Sequence, residues 1–362
     1  MTSATAIPGT VADITVEWLN EVLPDDIGTV ASMRWENLGE GVGILGEVSR
    51  LHLDYADGHD GPATIIAKCP SPAPENVFLC QAMGFYDREV SFYRHAAETM
   101  PVPTPRCLYA DMADDSVPFV LLLEEVADIS VLDQIAGAGA DETAEVFSLL
   151  ARVHAHFWGG DALDAHPWLP PMNNDMYKGS AALAAGRIDA FRDRWDGTFD
   201  GTTLDAVAGF IPRYTGFLDW AIDEGALTMA HTDSRCENYL FGADGAVTMI
   251  DFQFVTRFWG AWDVANWLGA SMTVDDRRTH EAALVEHYHA ELFAHGVADY
   301  PLARCWRDIR ASLMVQAFSQ VVVSDLDGAN ERGASLLDEM VTRTFAAATD
   351  YDVAGLLDTT EF

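Results

Sequence analysis

Residues 231–253 read HTDSRCENYLFGADGAVTMIDFQ. The stretch sets His231, Asp233 and Asn238 in the pattern H-x-D-x-x-x-x-N. Two apolar segments follow, joined by the turn cluster GADG, and the second ends in Asp251. Apolar runs on either side of such a cluster predict a hairpin. A hairpin returns its last residue to where its first began, so Asn238 and Asp251 are expected side by side at its base. One amide oxygen and one carboxylate there form a hard-oxygen pair suited to Mg²⁺. Asp233, close by, can accept a proton from a hydroxyl group. The plain alternative is that Asp233 and Asn238 cap turns. The rest of the chain decides by supplying partners or withholding them.

Upstream, residues 41–48 read GVGILGEV, a G-x-G-x-x-G-x-V match at Gly41, Gly43 and Gly46. A dinucleotide-binding fold needs a helix after such a loop. Here a period of two follows, with Leu51, Leu53 and Tyr55 on one side and His52 and Asp54 on the other. The other known use is a glycine loop between two strands, whose backbone approaches phosphate without a Cβ in the way. A Gly-rich turn with no ligand remains the simpler reading of the motif alone. ATIIAK then predicts a second strand ending in Lys68. Leu79, Met83, Tyr86, Val90, Tyr93 and Ala97 recur at three- and four-residue steps and predict a helix over 76–98. Glu89 lies on that apolar stripe. An unpaired buried carboxylate is costly, and Lys68 is its natural mate. Glycine loop, strand lysine and helix glutamate, in that order, fit a site that holds nucleotide phosphates.

On these motifs, with Ile250–Gln253 reading IDFQ and residues 150–159 reading LARVHAHFWG, the chain resembles the aminoglycoside phosphotransferase-like superfamily of small-molecule kinases. It looks closest to the ecdysteroid kinase-like branch. The resemblance covers residues 35–345. It implies an α+β, bilobal protein-kinase-like fold, with a small β-rich N-terminal lobe over 1–126 carrying one inserted helix. A large α-helical C-terminal lobe then spans 127–362. It implies Asp233 as catalytic base and Asn238 and Asp251 as Mg²⁺ ligands. Gly41, Gly43, Gly46, Lys68 and Glu89 would hold the phosphates of ATP, and the hinge from Glu124 to Val126 would bond the adenine through its backbone. Thr232 stands where the family commonly has Gly. DFQ in place of D-F-G, and the lack of an A-P-E motif after Asp251, point to a small-molecule acceptor rather than a protein. Asp263 is expected either to buttress the catalytic loop or to cap a helix.

The remaining sequence also divides into two lobes. The segment 30–126 reads as mainly β, and from about 127 the chain turns helical, with LLLEEVADIS as the joint. A short helix is expected over 11–24, an amphipathic one over 141–158, and further helix over 180–224 with breaks at Gly201 and Pro212. Residues 159–175, rich in Pro and Gly, are expected to form a loop. His280, His287, His289 and His295 crowd one helix without metal-site spacing. His154 and His156, two apart on a helix, face different ways. Trp259, Trp262 and Trp267 read first as core, and second as walls of an apolar acceptor pocket.

With 362 residues, 49% of them hydrophobic, the chain has ample material for a two-lobed globular core. Its 57 acidic against 21 basic residues make nucleic acid and anionic membranes poor partners. The net charge reads first as a solvated surface and second as attraction for a cationic substrate. Five widely spaced cysteines with no CxxC pair fit reduced thiols. The N-terminus lacks a signal-peptide pattern, and no apolar run approaches ~20 residues. A soluble, cytoplasmic protein is expected. The expected activity is transfer of phosphate from ATP to a hydroxyl of a small molecule. The alternative is a catalytically silent nucleotide-binding module. The acidic balance suits a cationic antibiotic or amino alcohol as acceptor. The aromatic-rich helical lobe suits an apolar sterol- or phenol-like alcohol, which the resemblance favours.

Overall fold

Strand pairing makes the first of two compact units. The computed structural model describes residues 6–38, 45–56, 61–325 and 331–359. The chain divides into Met1–Ile129 with Thr248–Phe254, and Ser130–Val247 with Val255–Phe362.

The first unit begins with helix α1 (Val16–Val22), whose N-terminal amide at Trp18 is capped by Thr15. Strands β1 (Val30–Asn37), β2 (Gly46–Tyr55) and β3 (Thr64–Pro70) follow, then helices α2 (Pro74–Met83) and α3 (Phe85–His95), and strands β4 (Cys107–Met112) and β5 (Phe119–Glu124). The strands form one antiparallel sheet in the order β1-β2-β3-β5-β4. Leu51, Leu53, Ile65, Ala67, Val120 and Leu122 cover one face and pack with Trp18 and Leu19. The strand period of two therefore turns Val48, Arg50, Ile66 and Lys68 to the opposite face.

Two features differ from the sequence reading. The expected helix over 76–98 is two helices, because Gly84 adopts φ +65° as the C-cap of α2. That left-handed conformation favours glycine, and it redirects the chain into α3. Strand β1 also joins the sheet, although it shows no alternation. It is an edge strand in which only Val30 is buried, so no apolar period marks it.

In chain order the second unit carries β6 (Ile129–Val131), α4 (Ala140–His156), α5 (Gly160–Asp164), α6 (Asp175–Arg194), α7 (Gly201–Phe210), α8 (Tyr214–Asp223) and β7 (Leu227–Ala230). Next come β8 (Tyr239–Gly242), β9 (Val247–Met249, whose last two residues belong to the first unit), β10 (Thr256–Trp259), α9 (Ala261–Asn266), α10 (Val274–Ala294), α11 (Leu302–Val322), α12 (Glu331–Asp350) and α13 (Val353–Thr359). Strand β10 pairs antiparallel with β7. Helix α4 buries Val146, Phe147, Leu150 and Val153, the stripe that its periodicity sets on one face. The helix breaks before Gly201, as expected: α6 ends at Arg194 and α7 starts at Gly201, where Asp200 as N-cap accepts from the amides of Thr202 and Thr203. Pro212 sits in a 3-10 turn between α7 and α8. The short α5 lies inside the segment expected to be loop.

Trp259, Trp262 and Trp267 are all buried. Their indole N–H groups donate to Gly225 O, Thr232 O and Thr143 Oγ1, so they are core. His287 meets Ser148 Oγ at 2.7 Å and His289 meets Tyr300 O at 2.7 Å. All five cysteines are free, and burial pushes the Cys69 and Cys305 thiols up to about 12. Among the described residues, no helix is long and apolar enough to cross a membrane.

Candidate active site

In the first unit, Lys68 lies within β3 on the face away from the core. Its Nζ donates to Glu89 Oε1 at 2.5 Å and to Asp251 Oδ1 at 3.2 Å. Burial works to lower the Lys68 pKa, but the charges of Asp251 and Glu89 outweigh it and hold the ammonium above the ordinary lysine range. The pairing therefore contributes fully below lysine's unfolded pKa and fades only as alkali passes the raised folded value. Glu89, expected to need a partner, is buried on α3 and has one.

Asp251 has φ +66°, uncommon for any residue with a Cβ. Aromatic packing fixes the turn that holds it. Phe252 stacks on Phe92 with ring centroids 3.5 Å apart, and Phe254 meets Phe85 at 4.5 Å. Gln253 Nε2 donates to Asp251 Oδ2 at 3.2 Å. A Cβ at Gly46 would sit 3.3 Å from the Cys69 carbonyl, so glycine lets β2 approach β3 there. Gly41 and Gly43 lie outside the described residues. At the joint, Glu124 N–H donates to Arg106 O at 2.9 Å. The Val126 N–H makes no hydrogen bond among the described residues, which leaves a backbone donor for a base.

In the second unit, β7 runs into the loop His231–Arg235, followed by a 3-10 turn at Cys236–Asn238. Asp263 on α9, fully buried, holds this loop. Its Oδ2 accepts from His231 N–H at 2.8 Å and its Oδ1 from Thr232 N–H at 2.7 Å. His154 Nε2 lies 3.0 Å from Oδ2, and His154 Nδ1 lies 2.8 Å from the Tyr288 hydroxyl. Asp263 makes no cap hydrogen bond to its own helix, so it acts as a buttress. Thr232 sits at φ +60°, a left-handed conformation that favours glycine.

Asp233 and Asn238 meet directly. Asn238 Nδ2 donates to Asp233 O at 2.7 Å and to Asp233 Oδ2 at 2.9 Å. Arg235 Nε reaches the same Oδ2 at 3.3 Å, and its other end pairs with Glu237. Both hydrogen bonds of the amide leave from nitrogen, so among the described residues Asn238 Oδ1 is the end left to face a hard cation. Among the described residues, the hydrogen bonds to the Asp233 carboxylate reach Oδ2, which leaves Oδ1 for a hydroxyl. This donor chemistry fits Mg²⁺, which takes few protein oxygens and completes its shell with water and phosphate.

Gly260 adds a steric test of the buttress. A Cβ there would lie 2.5 Å from His154 Nδ1 and 2.8 Å from the Tyr288 hydroxyl. Gly260→Ala is expected to cost about 1–3 kcal/mol through overpacking. A urea midpoint equal to wild type would contradict this packing.

Sequence reasoning set His154 aside because it looked only at the pair His154 and His156. The overlooked signal was the one that found Glu89. His154 lies one helical turn after the buried Leu150, and a polar group on a buried stripe needs a partner. Arg235 carried no such mark, since it lies in a loop.

The model of the ecdysteroid kinase-like family matches residues 40–296. No curated protein matches the chain. Choline kinase from Cryptosporidium parvum superimposes with a TM-score of 0.59 at 10% identity, covering 95% of this chain and 98% of that one. Ethanolamine kinase from Plasmodium vivax gives 0.53 at 12%, covering 90% and 84%. The GDP and kanamycin complex of APH(2")-IIia gives 0.52 at 17%, covering 89% and 96%. These likenesses show the fold: α+β and protein-kinase-like, with a β-sheet N-terminal lobe and a helical C-terminal lobe.

Proposed function

Because the chain belongs to the ecdysteroid kinase-like family, we propose that it transfers the γ-phosphoryl group of ATP to a hydroxyl of a small molecule. The observation that carries this reading is Lys68, held between Glu89 and Asp251 as a fixed cation. Such a lysine suits the phosphates of a nucleotide. Gly46, with Gly41 and Gly43, would bring backbone to the same phosphates. The Val126 N–H and the Glu124 carbonyl would read the base.

Asn238 and Asp251 would hold Mg²⁺, which neutralises phosphate charge when bound. Asp233 takes the proton of the acceptor hydroxyl on Oδ1 while Asn238 and Arg235 fix Oδ2. The hydroxyl oxygen then bonds to the γ-phosphorus, the bond from that phosphorus to the bridging oxygen of ADP breaks, and the proton passes from Asp233 to solvent. Catalysis of this kind rests on positioning and on charge stabilisation. A cytoplasmic setting, where ATP is supplied and thiols stay reduced, fits the five free cysteines.

The burial of Trp259, Trp262 and Trp267 removes them as walls of an acceptor pocket, so the acceptor is proposed only as a hydroxylated small molecule. ADP release measured against a panel of amino alcohols, aminoglycosides, sterols and phenols tests the reading. Magnesium-dependent release stimulated by one class supports it. ATP binding with no stimulation by any alcohol favours a silent nucleotide-binding protein.

A further inference from the structure

On the reading that this unit binds a nucleotide, we propose that Arg50 is a positioning residue for its base end, acting through Glu125. Arg50 lies on β2 with Val48, on the sheet face that carries Lys68. Its Nε lies 2.9 Å from both oxygens of Glu125, and its Nη2 lies 2.7 Å from Oε1. Its Nη1 donates to Glu36 Oε1 on β1 at 2.6 Å, where His52 also sits at 3.3 Å. One guanidinium therefore ties two strands to the segment that follows β5.

Arg50 is the main partner of the Glu125 carboxylate, with Thr64 on β3 a smaller one. The β3–β5 ladder ends at the Ile65 and Glu124 pair. Val126, with its open N–H, comes two residues later. Glu125, between them, is held by its side chain. An isolated, partly exposed ion pair contributes little stability. A forked Arg–carboxylate pair, however, fixes orientation as well as distance. The direction of the Val126 N–H is thus set by Arg50, whereas the phosphate end is set separately by Lys68 with Glu89 and Asp251.

Separate anchors give separable effects. Calorimetric titrations with adenosine and with magnesium tripolyphosphate read the two ends independently. Arg50→Met is expected to weaken adenosine binding about tenfold by loss of preorganisation, with tripolyphosphate binding unchanged within about twofold. Glu125→Gln, which keeps size and polarity, is expected to show the same selective loss. Arg50→Lys is expected to fall between, because an ammonium cannot fork. Adenosine binding at the wild-type level in both Arg50→Met and Glu125→Gln would overturn the proposal. So would an equal loss of both ligands, the mark of a merely structural role. A wild-type chain that binds neither adenosine nor ATP would overturn the nucleotide reading and this proposal with it.

Discussion

Asp233→Asn is expected to cut turnover by about 10²–10⁴-fold while the protein stays folded. The substitution is close to isosteric. An amide oxygen in place of Oδ2 still accepts from Asn238 Nδ2, now at 2.9 Å from the carboxylate. What disappears is the oxygen that takes the hydroxyl proton. Because Asp233 makes no proposed contact with the nucleotide, the KM for ATP is expected to stay within a few-fold of wild type. Steady-state ADP release with the active acceptor class reads both quantities. Unchanged kcat removes Asp233 as the base. A raised KM at constant kcat would instead make it a binding residue.

Asp263→Ala is expected to carry the largest stability cost, about 3–5 kcal/mol. Three groups lose their acceptor at once, namely the amides of His231 and Thr232 and the ring of His154. Most of this lies out of water, since Asp263 and His154 are fully buried and His231 nearly so, with Thr232 partly exposed. Buried donors left unmade pay their full desolvation. The urea midpoint of unfolding measures the loss. A cost under about 1 kcal/mol would mean that the loop takes its shape from other contacts.

Much of this was readable because buried polar groups break a pattern. Glu89 stood out on an apolar stripe, and the rule that a buried charge needs a partner led to Lys68. The alternation set Leu51, Leu53 and Tyr55 against His52 and Asp54, whereas the far-face placement of Lys68 and Arg50 came only with the sheet register. Gly84 was harder. A glycine within a helical period reads as tolerated, and only its φ of +65° shows that it divides the helix. Strand β1 left no mark because edge strands with one buried residue need no alternation. The break expected at Gly201 is real, but its physical cause is the cap residue Asp200, which starts the next helix. The Arg50–Glu125 fork joins residues far apart in sequence, and nothing local distinguishes either from a solvated charge. Thr232 was visible as a departure from the family pattern. The structure gives the departure its physical content, since a β-branched residue occupies a left-handed position.

The central claim is a nucleotide site that depends on a divalent metal held in part by Asp251. Thermal unfolding of the purified protein with a non-hydrolysable ATP analogue, with and without Mg²⁺, beside Asp251→Ala, tests it most directly. A ligand that binds the native state raises the melting temperature, by about 2.7 kcal/mol of stabilisation at a hundredfold excess over Kd. The account predicts a shift that needs both analogue and Mg²⁺ and disappears in Asp251→Ala. No shift with any combination, or one that persists undiminished in the variant, would contradict it.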